Sequence, residues 1–217
     1  MSRLRLLPIR AALAFAAGLA LTDAALAQAP APAAPAAQPA PATRVRGTIV
    51  SFAGSDLVIK ANDGTVYPVK IPDNFRVTGI AKASMDDVTK GKYVGITSVK
   101  MPDGRQKAIE VHIFDQTANR NEAQLPWDLV PNSTMNNATL AEIGSKTQDG
   151  PLMTLRIKDS TVDIVVPPNI PVGAFVPGDK SLLVPGAAVF MGITKQADGT
   201  YTAAATNVGV AGMVPPM

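Results

Sequence analysis

From Val45 onward the apolar positions alternate with polar ones in short runs instead of recurring at helical spacing. This is the period-two pattern of half-buried strands. Residues 45–52 predict a first strand. Residues 57–60 and 66–71 flank Asn62-Asp63-Gly64, a strong hairpin signal, and Tyr67, Val69 and Ile71 share one face. Residues 93–99 and 108–114 flank Pro102-Asp103-Gly104 in the same way. There Ile109, Val111 and Ile113 are expected to face inward, and Glu110, His112 and Phe114 outward. Residues 84–88 predict one helical turn, with Ser84 as its cap and Asp86 and Asp87 in the first turn.

The pattern then repeats. Leu57-Val58-Ile59-Lys60 returns as Leu155-Arg156-Ile157-Lys158, Ile71-Pro72-Asp73-Asn74 as Val166-Pro167-Pro168-Asn169, and Gly95-Ile96-Thr97 as Gly192-Ile193-Thr194. Asp63-Gly64, Lys90-Gly91 and Asp103-Gly104 recur in order as Asp159-Ser160, Pro185-Gly186 and Asp198-Gly199. Self-similarity at a fixed period marks a duplicated unit. In the second copy the strands are expected near 138–143, 153–157, 161–166, 188–194 and 201–208, with residues 179–183 as the counterpart of the helical turn. The predicted fold class is all-β: two tandem small five-stranded barrels, each with a short helical turn between strands 3 and 4. An OB-like barrel fits this layout, and an SH3-like barrel or a sandwich fits it as well. The expected units are 44–114 and 138–210, joined by 115–137 and followed by a tail, 211–217.

The N-terminal pattern is of another kind. Arg3, Arg5 and Arg10 precede the apolar run 11–21, and Ala25-Leu26-Ala27 supplies small residues ahead of Gln28. This predicts a secretory signal peptide over 1–27, cleaved near Ala27. The apolar run is about half of the ~20 residues a spanning helix needs. Residues 28–43, rich in Pro and Ala, predict an extended, solvated linker. The expected location is the bacterial periplasm, with no transmembrane segment after cleavage.

Composition narrows the chemistry. The chain has 217 residues, no Cys and one His. Disulfides, thiol nucleophiles and Cys-ligated zinc are thereby excluded. The formal charge is +3, but the expected signal carries three Arg and one Asp. Residues 44–114 carry 11 basic and 7 acidic side chains, and residues 115–217 carry 6 and 9. Two repeats of opposite sign suggest self-association more than a nucleic-acid partner. The aromatics form no stacking platform on a barrel face, which also argues against nucleic acid. Asp63, Asp103, Asp149 and Asp198 each precede Gly, where turn geometry explains them.

Two segments stand out, Leu125-Pro126-Trp127-Asp128-Leu129 and Pro131-Asn132-Ser133-Thr134-Met135. A lone Trp with this apolar payload is expected to fill an interface between the units. Trp127, Asp128, Asn132 and His112 are the candidate interdomain or binding residues. No catalytic, cofactor-binding or metal-ligating set is expected.

Gly47-Thr48-Ile49-Val50, a Gly-Ser turn, Leu57-Val58-Ile59-Lys60 and Asp63-Gly64 together resemble the repeat called domain of unknown function 5666. With Glu110-Val111-His112-Ile113-Phe114, Pro126-Trp127-Asp128-Leu129 and Val214-Pro215-Pro216-Met217, the longer arrangement resembles a family of bacterial exported proteins. Some of its members carry the label of metal transporter permease. Lacking a spanning segment, this chain would keep of that label only an accessory, metal-binding role. Where many members have a His before Pro-Trp-Asp, this chain has Gln124 and Leu125. The resemblance implies no activity and no catalytic residues. The expectation is a non-enzymatic binding or scaffold module of the envelope, whose partner is an envelope protein or a small ligand. An accessory metal-binding protein and an enzyme with a carboxylate-only site are the alternatives.

Overall fold

The computed structural model describes residues 42–116 and 121–217. The expected signal peptide, 1–27, and nearly all of the expected linker, 28–43, lie outside the described residues. The described residues are all-β, and their 14 strands follow the order β1 (Thr43–Ala53), β2 (Asp56–Ala61), β3 (Val66–Lys70), β4 (Arg76–Lys82), β5 (Tyr93–Lys100), β6 (Gln106–Ile113), β7 (Ala123–Trp127), β8 (Ser133–Thr147), β9 (Gly150–Ile157), β10 (Ser160–Val165), β11 (Val172–Pro177), β12 (Ala188–Lys195), β13 (Tyr201–Thr202) and β14 (Ala205–Gly209). Single 3-10 turns at Met85–Asp87 and Lys180–Leu182 precede β5 and β12. Asp87 closes the first by accepting from the Ser84 backbone at 2.8 Å and from its hydroxyl at 3.0 Å. Asp179 caps the second by accepting from Ser181 N at 2.7 Å.

The strands close two rings. In ring one, β1 pairs with β2, β2 with β3, β3 with β13, β13 with β12, and β12 with β1. In ring two, β5 pairs with β6, β6 with β10, β10 with β9, β9 with β8, and β8 with β5. The closing contacts β3–β13 and β6–β10 are parallel and short. Strands β14, β4 and β11 bridge the rings, running from β12 to β6.

This arrangement replaces the expected succession of barrels over 44–114 and 138–210. Ring one combines the first three strands of the expected first repeat with β12 and β13 of the expected second. Its core joins Ile49, Leu57, Ile59 and Val69 to Met191, Ile193 and Val208. Ring two is built from the middle of the chain, and its core joins Val94, Ile96 and Val111 to Leu140, Leu155 and Ile164. Ring two is thus an insert between the two pieces of ring one. The cause is the fourth strand of each repeat, which the hydrophobic pattern left unassigned. β4 and β11 pair antiparallel, Gly79 opposite Val176 and Ile80 opposite Phe175. Each delivers the rest of its repeat to the other ring. The opposite charges of the two repeats therefore do not separate into two rings.

Residues 115–137, expected as a join, hold β7 and the start of β8, which pair from Ala123 opposite Asn137 to Trp127 opposite Ser133. The stretch 201–208 is divided between β13 and β14.

Strand β6 also departs from simple alternation. Its pairing to β5 shifts by one residue, with Thr97 opposite Glu110 but Ser98 opposite Ala108. Ile109 is the extra residue of a β-bulge, a device that re-aims side chains. Ala108, Val111 and Ile113 enter the ring-two core, while Ile109 turns out of it.

Candidate functional site

The bulge positions a carboxylate where the rings meet. Glu110, expected on an outer face, is 0% exposed, and His112 is 1% exposed. Both belong to a strand paired on each side and covered by the bridging strands and the tail. The hydroxyl of Thr97, directly across on β5, donates to Glu110 Oε1. Glu110 Oε2 and His112 Nε2 face each other at 3.4 Å, and neither has another hydrogen-bond partner. His112 also bonds the backbone of Pro216. Proline has no N–H, so the acceptor is its carbonyl, and the donor is His112 Nδ1–H, because Nε2 is unpaired. That tautomer leaves a lone pair on Nε2.

The electrostatics agree with this assignment. Burial pushes the Glu110 carboxyl up to about 8, against the opposing pull of the Thr97 hydroxyl and the Arg46 charge. Burial pushes His112 down to about 4, with the Pro216 carbonyl acting the other way. Burial thus favours the uncharged form of both groups at neutral pH. A buried ion pair would cost far more in desolvation. His112 also lies edge-on to Phe175, with ring centroids 6.0 Å apart.

Arg46 comes from ring one. On β1, Val45 and Ile49 point into the core, while Arg44 and Arg46 share the outward face. Arg46 lies opposite Phe190 in the β1–β12 register, with its guanidinium 5.1 Å from that ring. It donates through Nε to the Met217 carbonyl oxygen and through a terminal nitrogen to Asp128 Oδ1 at 2.7 Å. Arg44 reaches the same carboxylate at 3.8 Å and lies 4.2 Å over the Trp127 ring. Burial raises the Asp128 carboxyl, but the Arg46 hydrogen bond and both guanidinium charges outweigh it and hold Asp128 below its ordinary value.

Trp127 sits at the end of β7, whose partner β8 belongs to ring two, while its ring meets Phe190 of ring one at 6.0 Å. It is partly buried, and its Nε1 lacks a partner. Asn132 stands apart. It takes a positive φ of 59° in the β7–β8 turn and lines a separate shallow hollow with Gln124, Leu125 and Pro126.

Arg46 and Glu110 border a cavity of about 490 Å³ at the seam between the rings. Arg46, Gly47 and Val189 of ring one line it, with Ile109 and Glu110 of ring two, Leu129 and the tail Met213–Met217. Of the four candidates, Trp127 and Asp128 border this seam through Arg44 and Arg46, and His112 lies behind it. Arg46, Glu110 and Thr97 were not among the candidate residues read from the sequence, and the tail entered only through the resemblance. One signal was available. Ala108-Ile109-Glu110-Val111-His112-Ile113-Phe114 is nearly continuous in apolar residues, which marks a strand buried on both faces. Glu110 and His112 then read as buried polar groups.

The described residues include no group of three or more His, Asp or Glu that could hold a metal ion, and no helix long and apolar enough to cross a membrane. Comparison with protein-family models, with curated proteins and with solved structures finds no match for this chain.

Proposed function

We propose that this protein is an exported, non-enzymatic binding module of the bacterial envelope, of the tandem-repeat kind its sequence resembles, and that it binds at the seam between its two rings. The observation that carries this reading is the seam cavity. It has apolar walls and a few convergent polar groups, Arg46 and the buried Glu110 among them, as ligand sites do. The Arg-rich, apolar and small-residue segments of 1–27 support export to the periplasm, and 28–43 would hold the module at a distance on a tether.

Export is tested by the intact mass of the protein recovered from the periplasmic fraction. A chain beginning at Gln28 is expected; an uncut chain in the cytoplasm would end the reading. Binding is tested by a photo-crosslinking residue in place of Val214, which is 65% exposed beside the cavity, with Val66, 54% exposed on β3, as control. A discrete adduct in living cells from position 214 alone is expected. Identical adduct patterns from both positions would refute a seam site.

A further inference from the structure

The tail is seated in the seam as a bound peptide would be. Residues 213–217 join no strand. Pro215 and Met217 are buried, whereas Val214 points outward. The two prolines need no donor satisfied and favour an extended backbone. The carbonyls of the last two residues are both read by side chains. Pro216 O accepts from His112 and Met217 O from Arg46. The Met217 thioether lies 3.2 Å from Asn207 Nδ2. Glycine makes room for the strap. A Cβ at Gly209 would stand 1.6 Å from Met213 O and 3.2 Å from Pro215 Cδ.

The strap does not fill its groove. The 490 Å³ cavity and another of about 410 Å³, lined by Thr48, Ala187 and Gly209, both border it, and Met213 and Val214 line both. The strap starts from Ala211 and Gly212, at positive φ of 52° and 79°. A left-handed alanine is strained and is relieved when the turn opens.

The geometry points to a peptide-binding groove in which Met213–Met217 is a built-in competitor, displaced by an extended segment of a partner protein that carries two consecutive prolines followed by methionine. His112 and Arg46 would read the carbonyls of the incoming Pro-Met pair, and the Asn207 pocket its thioether. This deepens the seam-binding reading and rests on it. Because a groove competent for only a fraction of the time binds with affinity reduced by that fraction, weakening the strap must tighten binding of a free peptide.

The probe is a fluorescein-labelled peptide with the chain's own sequence Ala-Gly-Met-Val-Pro-Pro-Met, followed by anisotropy on the full chain. Met217→Ala removes the buried side chain of the strap and is expected to bind the probe at least tenfold tighter than wild type. Adding Gly209→Ala, which intrudes on the path of the strap backbone, should abolish that gain, and a probe with both prolines replaced by alanine should bind at least tenfold more weakly. Equal affinity for wild type and Met217→Ala overturns the proposal, as does equal binding of the alanine probe. If Met217→Ala does not unfold cooperatively, wild type labelled at its methionine methyls is titrated with millimolar unlabelled peptide. A shift of the Met217 methyl to its free position supports displacement, and an unmoved signal overturns it. Failure here with a discrete crosslink at position 214 removes the strap mechanism and leaves the seam site.

Discussion

Because ring two is an insert in ring one, the two rings should depend on each other unequally. The two pieces of ring one, ending at Lys70 and resuming at Ala188, pair directly, but along the chain they are joined only through the insert. With ring two folded, the ends of the insert are held together by β4 and β11. With ring two unfolded, that insert becomes a loop of more than a hundred residues, whose closure costs about 4 kcal/mol. Leu155→Ala opens a cavity in ring two at a fully buried leucine. Substitutions of this type cost about 3 kcal/mol. Ile193→Ala does the same in ring one, also at a fully buried site, and should cost a similar amount. Native-state hydrogen exchange at single amides separates the consequences. Leu155→Ala is expected to speed exchange at Ile164 in ring two and also at Ile59 in ring one. Ile193→Ala should speed it at Ile59 by about a hundredfold (each 1.4 kcal/mol being tenfold) and change Ile164 much less. If Leu155→Ala leaves ring one protected, or Ile193→Ala exposes both rings equally, the nested arrangement does not govern stability.

Three further outcomes follow from the same contacts. A fragment spanning 83–177 holds a complete ring and should give a cooperative melt by circular dichroism, whereas 44–114 holds three strands of ring one and two of ring two and should not. Trp127→Ala should cost about 2 kcal/mol, below the 3–5 of a fully buried aromatic because Trp127 is only partly buried. Trp127→Phe should stay within about 1 kcal/mol by urea denaturation, because the buried Nε1 makes no hydrogen bond to lose. Glu110 keeps its proton in the folded state up to about 8, while the unfolded carboxyl loses it near the ordinary value of 4.5. The folded state then holds the extra proton, so stability falls as pH rises through that window. His112, depressed to about 4 from 6.5, works oppositely: its contribution is lost as pH falls from 6.5 toward 4. Between pH 6.5 and 8 Glu110 acts alone, and its slope approaches about 1.4 kcal/mol per pH unit. Glu110→Gln should abolish that decline and melt higher than wild type at pH 8; an unchanged pH profile would mean that the carboxyl is not held protonated.

Local pattern carried most of the strand content. The hairpins around Asp63-Gly64 and Asp103-Gly104 are legible because turn geometry selects those residues, with Gly64 and Gly104 both at φ 89°. The alternation 57–60 and 66–71 survives in β2 and β3 because ring one covers one face of each. Strands β4, β7 and β11 were not legible. Arg76-Val77-Thr78-Gly79-Ile80 and Val172-Gly173-Ala174-Phe175-Val176 carry glycines that weaken a strand signal. Those glycines are used where bridging strands and tail pack too closely for side chains: at Gly79 a Cβ would meet Val176 at 2.8 Å, and at Gly173 Ile80 at 2.9 Å.

The candidate site divides along the same line. Trp127 and Asp128 stood out by residue type alone. That Asp128 is clamped by Arg44 and Arg46 follows from tertiary packing of β1 against the segment after β7, residues far apart in the chain. Glu110 and His112 change from outer-face residues to a buried, uncharged pair through one bulge at Ile109 and a tail arriving from the far end of the chain.

By itself the sequence determined an all-β chain, because period-two alternation and Asp-Gly turns depend on residues within a few positions of each other. Tertiary structure alone decided which strands close which ring, where the seam lies and what covers it. Pairings such as β3–β13 and β4–β11 are chosen by the net burial of whole strands across more than ninety residues. No window of sequence contains that comparison.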